Sequence, residues 1–269
     1  YEANSAKIFP NTDIKGGVAI TYCNERKTFE PIGTFTSFPE LNSILHKVRS
    51  SANKFLASVI TGYGSYQISD LALKEHPEIE NIQSKGHKKD LKANVFNKLK
   101  NIVYYETKPD SEKEYGQFLG LVKGKRVWYW AQLDYHDLPD SFYAFKVFVP
   151  AANGSGALGE VLSTPLIGAP LIGATETFLS IGAFATEREA ANCLKYVKSK
   201  FARAMLGVLK VTQHNPKSKW IYVPLQDFSS SSDIDWSQSI AEIDRQLYAK
   251  YGLSAEEIAF IESHVKEMT

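Results

Sequence analysis

The residues that decide the fold run from 175 to 228: TETFLSIGAF (175–184), ATEREAANCLKYVKSKFARAMLGVLKVTQHNPKSKW (185–220) and IYVPLQDF (221–228). The order reads as strand, long helix, loop, strand. Thr186 stands where an N-cap belongs, and Glu187 and Glu189 fall in the first turn, where the positive end of the macrodipole favours carboxylates. Ala190, Leu194, Val197, Phe201, Ala204, Met205 and Val208 recur at helical spacing, which predicts one buried stripe on a helix over about 186–210. Lys195, Lys198, Lys200 and Arg203 fall on or beside the opposite face. Gly207 weakens the last turn, and Asn215-Pro216 closes the loop that follows. A buried helix with a basic outer face, held between two apolar strands, can carry loops that meet an anion.

Outward from this unit the pattern is mostly strands upstream and helices downstream. YGQFLGLV (115–122) and RVWYWAQLDY (126–135) flank Lys123-Gly124-Lys125, a hairpin turn signal. Trp128, Tyr129 and Trp130 are consecutive, so they cannot all face one way, and at least one leaves the core unless both faces are covered. For Trp128 and Trp130 the choice is between core packing and an exposed binding role. FKVFVP (145–150) reads as a strand and 139–144 as a helical turn. Nearer the start, Val18, Ile20 and Tyr22 alternate as a half-buried strand entered through Asn11-Thr12-Asp13 and Gly16-Gly17, and Pro31-Ile32-Gly33 marks a break. PELNSILHKVRSS (39–51) reads as an amphipathic helix, and Ser69 caps a short helix that Pro77 ends. The serine run at 229–232, followed by Asp233 and Asp235, reads as a linker to two helices over 239–251 and 254–266, with Gly252 between them and a capping box of Ser254 with Glu257. The expectation is an α+β fold: a twisted mixed β-sheet, the long helix at about 186–210 packed on it, and a helical C-terminal extension. The expected units are 1–30, 31–228 and 229–269.

Composition excludes several classes of function. Net charge is +1 over 269 residues, so a basic surface has to be local. Cys23 and Cys193 are the only cysteines, too few for a disulfide framework or a cysteine zinc site. No apolar run reaches the length of a membrane span and no signal peptide is visible, so the expected location is cytoplasmic, with no membrane partner. The chain opens on Tyr1 in mid-pattern, as an excised piece of a longer protein would.

The most basic stretch, SKGHKKDLKANVFNKLK (84–100), holds six lysines and His87 against one acid, Asp90. It reads as a solvated face or as a phosphate-contacting arm. GSGALG (154–159) spells a dinucleotide fingerprint, but Pro165 and Pro170 follow where a helix would have to open, so a loop is expected. Pro109-Asp110 and Pro139-Asp140 lack the second half of a nuclease metal site, and the six histidines do not cluster with acids at metal spacing. No P-loop and no nucleophile elbow is present. The residues alone describe a domain that binds something.

IFPNTDIKGGVAITYC (8–23) resembles the last strand region of the catalytic domain of gamma-type N6-adenine DNA methyltransferases, the TaqI-like enzymes and their fused restriction-modification relatives. FKVFVPAANGSGALGE (145–160), residues 175–213 and KWIYVPLQDF (219–228) resemble the target recognition domain that follows it, and 232–268 is similar to the tail of such proteins. The resemblance is thin from about 63 to 140. The family's catalytic Asn/Asp-Pro-Pro-Tyr/Phe tetrapeptide and its S-adenosylmethionine loop have no counterpart; Asn215-Pro216-Lys217 is no substitute.

The resemblance implies a fragment that reads double-stranded DNA. The catalytic domain in cis would use S-adenosylmethionine to methylate a flipped adenine, and no cofactor or catalytic residue is expected in the fragment itself. The phosphate candidates are Lys85, His87, Lys88, Lys89, Lys92, Lys123, Lys125 and Lys219. Arg126, Trp128, Thr212, Gln213 and His214 are the candidates for reading bases, with Gln213 suited to adenine and Arg126 to guanine. Lys210 stands at the start of the same loop. The alternative is a protein-interaction or regulatory module on the same fold. A shared positive stripe favours DNA; an exposed apolar patch favours a protein.

Overall fold

A computed structural model describes residues 2, 4–11, 18–27, 33–62 and 64–268. Helices α1 to α4 are Pro39–Ser51, Asp70–Glu75, Ile79–Ile82 and Val95–Lys98; α5 to α8 are Glu187–Lys198, Lys200–Gly207, Ile240–Lys250 and Ala255–His264. Strands β1 to β5 are Ile60–Thr61, Gln67–Ile68, Tyr104–Tyr105, Tyr115–Val122 and Lys125–Gln132; β6 to β10 are His136–Asp137, Phe145–Pro150, Leu166–Gly168, Ile172–Ala174 and Phe178–Phe184. The fold is α+β, but its strands form two four-stranded sheets in place of the one sheet expected. The first, β1-β10-β7-β8, is antiparallel throughout. The second, β3-β5-β4-β9, is mixed, because β9 runs parallel to β4. β2 and β6 make a separate two-stranded ladder.

Strand alternation explains the layering. Val147, Val149, Leu179 and Ile181 point to one face of the first sheet and join α1, α5, α6, α7 and α8 in the larger core. Phe148 and Phe178 point the other way and meet Leu119 and Ala174 of the second sheet. The far face of the second sheet, with Tyr104, Phe118, Tyr129 and Ala131, packs on Tyr66, Val95, Phe96 and Phe142. Lys146 follows the same rule and lies between the sheets, fully buried. Its ammonium donates to the carbonyls of Phe142, Ala169 and Ile172 at 2.9–3.0 Å, and burial pulls it down to about 7.

The expected long helix is two helices. Thr186 caps α5 in a capping box with Glu189, a feature worth about 1 kcal/mol. Ser199 then leaves helical geometry and caps α6 by accepting from Ala202 N. Asp244 of α7 fixes the break: its carboxylate accepts from Lys200 N at 3.0 Å and Phe201 N at 2.8 Å. The basic outer face is also largely committed. Arg203 is 3% exposed and donates to the carbonyls of Lys198, Gly159, Glu160 and Lys266. Lys195 donates to Trp236 O and Gln238 O, and Lys200 pairs with Glu262.

Residues 221–228 form no strand either. Ile221 and Tyr222 form a turn, Val223 and Leu225 then exchange backbone bonds with Leu56 and Lys54, and Pro224 between them has no N–H to extend a ladder. The serine run does not separate the C-terminal helices from the rest: Ile234 and Trp236 are buried, and α7 and α8 are built into the larger core. Near the start, Val18 makes a single bridge to Glu2, while Ile20 and Tyr22 are 76% and 74% exposed, so the expected strand is absent from 18–23. The turns proposed at Thr12-Asp13, Gly16-Gly17 and Pro31-Ile32 lie outside the described residues. The α1 helix, the 123–124 hairpin, strand β7 and the capping box of Ser254 with Glu257 stand where the sequence places them. No described helix is long and apolar enough to cross a membrane.

Candidate nucleic-acid interface

The hairpin tip is a two-residue turn with Lys123 at φ 48° and Gly124 at φ 74°, the twist that matches paired strands. Lys123 and Lys125 are exposed there and have no ion-pair partner among the described residues. Arg126, the next residue, is half-buried. Its Nη2 donates to Ser163 O at 3.0 Å and Thr164 O at 2.6 Å, and its guanidinium lies 5.5 Å from the Phe178 ring centroid. Nη2 belongs to both two-pronged edges of a guanidinium, so in this state Arg126 cannot offer guanine a full fork. It clamps the 163–164 loop instead, which corrects its expected role as a free base reader.

The loop after α6 meets the same segment. Gln213 O accepts from Asn153 N at 2.8 Å, and Asn215 N donates to Ala151 O at 2.9 Å. A Cβ at Gly156, which has φ +96°, would lie 2.3 Å from Thr212 N, so only glycine permits this approach. Asn153 joins the two ends: its Nδ2 donates to Val161 O at 2.7 Å, and its Oδ1 accepts from Ser163 N and Oγ at 2.5 and 2.6 Å. A continuous chain of bonds therefore runs from Arg126 through Ser163 and Asn153 to Gln213. Thr212, Gln213 and His214 are exposed on this frame, and no side-chain partner holds the Gln213 amide among the described residues. Asn215 is the opposite case, fully buried with both amide heteroatoms lacking a partner among the described residues.

The glycine loop 154–159 opens no helix, and its donors are occupied. Ser155 N, Ser155 Oγ and Gly156 N donate to the Glu160 carboxylate at 2.9, 2.6 and 3.0 Å, with Lys210 Nζ 3.7 Å away. Burial opposes the charge on Glu160, but these donors and Lys210 outweigh it and hold the carboxyl at about 2. Lys210 is 5% exposed and also donates to Asn153 O, so it is a structural cation and cannot reach a phosphate. Lys219 is half-buried with no ion-pair partner among the described residues.

The lysine-rich arm is largely neutralised within the fold. Lys88 pairs with Glu80 at 2.8 Å, Lys89 with Asp70 at 2.8 Å, and Lys92 with Asp90 and Glu176 at 3.3 Å each. His87 Nδ1 lies 2.8 Å from Asp90. Lys85 alone of the five named candidates there is exposed without a partner among the described residues. The three basic stretches do approach one another: Glu176, which holds Lys92, precedes Thr177, whose carbonyl accepts from Ala151 N, while Phe178 lies under Arg126. They do not form a continuous positive stripe.

Trp128 is 37% exposed and Trp130 half-buried, both on the face of β5 opposite buried Tyr129, so core packing does not describe Trp128. Of the other histidines, His136 is buried neutral. Its Nδ1 donates to Gln132 O, Nε2 accepts from Tyr104 Oη, and burial pulls it down to about 4. Cys193 is buried and Cys23 exposed outside any strand. Among the described residues no group of three His, Cys, Asp or Glu side chains could hold a metal. Sequence reasoning missed Asn153 and Glu160; Asn at the end of a strand before a glycine loop was the available signal. Phe35, Phe38, Leu158, Val208 and Val211 line an apolar groove of about 380 Å³ at the far end of α6. No family model, curated protein or solved structure matches this chain.

Proposed function

We propose that this chain is the duplex-DNA recognition domain of an adenine-specific DNA methyltransferase of a restriction-modification system, a cytoplasmic bacterial defence enzyme. Its catalytic domain, in cis, would bind S-adenosylmethionine and carry out the transfer. The observation that supports the reading is the bonded frame from Arg126 to Gln213. It fixes the backbone of Gln213, whose amide is exposed and unengaged among the described residues, and it begins at the residue next to a hairpin tip whose two lysines have no partner among them. Phosphate contacts position such a domain, and a rigidly held amide can pair with adenine N6 and N7. In this reading Gln213 reads a base, Thr212 and His214 flank it, Lys123, Lys125 and Lys219 meet phosphates, and Arg126 sets the loop.

A protein-binding module is the second reading. The apolar groove favours it, together with Val211 at 69% exposure and Ile20 and Tyr22 in the N-terminal segment. The two readings are compatible where the protein partner is the catalytic domain itself.

Selection from a randomised duplex library followed by sequencing tests the DNA reading. The wild-type chain is expected to enrich a defined motif. Gln213→Ala should lose preference at one adenine, at about 1–3 kcal/mol of discrimination, and keep the rest. Enrichment of no motif, or an unchanged motif in Gln213→Ala, overturns the assignment.

A further inference from the structure

The open face of the second sheet carries an aromatic platform that the duplex reading does not use. Register places Trp128 opposite Leu119, and Trp130 opposite both Gln117 and Tyr105, so Trp128, Trp130, Tyr105 and Gln117 share one face. Toward β9 that face is covered by Phe148 and Phe178. Toward β3, which is only two residues long, the cover is partial: Trp128 is 37% exposed, and Trp130, Tyr105 and Gln117 are half-buried.

Cations border the platform. Lys108 Nζ lies 5.9 Å from the Trp130 ring centroid, Arg126 is on the same face, and Lys123 and Lys125 stand unpaired at the adjoining tip. Glu106, the acid next to Tyr105, is turned to the other face and held by Lys100 and Tyr129 Oη. The Gln117 side chain has no partner among the described residues.

We propose that this face binds unpaired nucleotides of a single-stranded nucleic acid, with bases stacked on Trp128 and Trp130 and phosphates met by the bordering cations. Rings two residues apart on a strand are separated by about 7 Å along it. Bases in a duplex strand rise about 3.4 Å. A strand that uses both rings must therefore have its bases unstacked from each other, which a duplex does not permit. The proposal rests on the nucleic-acid reading above but not on duplex specificity.

Tryptophan fluorescence provides the test, because the other two tryptophans, Trp220 and Trp236, are 1% and 5% exposed and serve as an internal reference. A short oligothymidylate should quench the wild-type chain saturably. Trp128→Ala should weaken that binding about 5- to 150-fold, the range for removing one stacking platform. Trp128→Phe should restore most of it, and near-ultraviolet dichroism of the buried tryptophans should report an unchanged fold. An abasic strand of the same length should bind far more weakly. Equal binding of the abasic strand, or unchanged affinity in Trp128→Ala, overturns the proposal, because phosphates alone would then account for binding. Self-association that Trp128→Ala abolishes, without nucleotide quenching, overturns it in favour of a protein partner. Retained duplex binding with no single-strand quenching sinks only this inference; loss of binding to every nucleic acid sinks the duplex reading as well.

Discussion

Residues 84–100 hold six lysines and residues 211–215 hold none, yet the second segment is the more available to a ligand. In the arm, Lys88, Lys89, Lys92 and Lys100 each face a carboxylate within 3.3 Å. In the loop, the backbone is fixed by Asn153 and Ala151 while the Gln213 side chain has no partner among the described residues. Charge density along a sequence measures neither the field at a surface nor the readiness of a side chain to bind. What decides both is which groups the fold brings alongside.

The largest expected effect concerns the residue that makes the loop rigid. Asn153 is 6% exposed, and Asn153→Ala would orphan Ser163 N–H and Val161 O. The expected loss is about 3 kcal/mol. For a chain of this size that lowers the melting temperature by about 5 °C in calorimetry. A fall of only a degree or two would mean that the 151–164 loop is held by other contacts, and the contrast between rigid loop and neutralised arm would weaken.

Glu160 gives the same contrast a pH signature. Its carboxyl is held at about 2 in the fold, against an ordinary value near 4.5, so its stabilising contribution is present above pH 4.5 and is lost as pH falls toward 2. Glu160→Gln should cost about 2 kcal/mol at neutral pH, the scale of hydrogen bonds to a charged group. The gap between wild type and variant should close between pH 4.5 and 2 in thermal melts. A gap independent of pH would show that shape, not charge, pins the glycine loop.

These two residues also mark what the sequence could and could not reveal. The elements governed by local signals were legible: the N-cap at Thr186, the capping box of Ser254 with Glu257, the Lys123-Gly124 turn, and the periodicity of α1. The features set by distant partners were not. Asp244 splits the long helix at Ser199 from 45 positions away, and β9 reaches β4 across more than fifty residues to make a second sheet. Asp90 apart, the neutralising acids Asp70, Glu80, Glu106, Asp137 and Glu176 lie outside the arm. In the candidate site, Gln213 was legible as a polar residue in a loop and Trp128 only as a choice between core and surface, whereas the commitment of Arg126 and Lys210 to backbone carbonyls depends on the loop at 153–164.

A smaller effect is expected at the hairpin tip. On the DNA-reading proposal, Lys123→Ala with Lys125→Ala should lower the slope of log affinity against log salt by about 1.8, at about 0.9 for each phosphate left unneutralised, and weaken all duplex sequences alike. Folding stability should move by less than about 0.5 kcal/mol, because neither side chain has a partner among the described residues. An unchanged slope would remove the tip from the interface.

The smallest effect should come from the lysine arm. Lys88 and Lys89 are each about a third exposed and paired, and solvent screens such pairs, so Lys88→Ala with Lys89→Ala should leave the melting temperature almost unchanged. Their charge is already opposed by Glu80 and Asp70, so the salt slope for duplex binding should stay where it is. A slope lower by about 1.8 would instead mean that the pairs open on DNA and that the arm is a phosphate clamp after all. The converse variant separates these cases. Glu80→Gln with Asp70→Asn leaves both lysines in place and removes their nearest partners, with Asp137 still 3.9 Å from Lys89. If the acids silence the arm, the freed ammonium groups should steepen the slope. If the arm lies away from DNA, the slope will not change, and the arm's high lysine count will have served only to hold β2, α2 and α3 together.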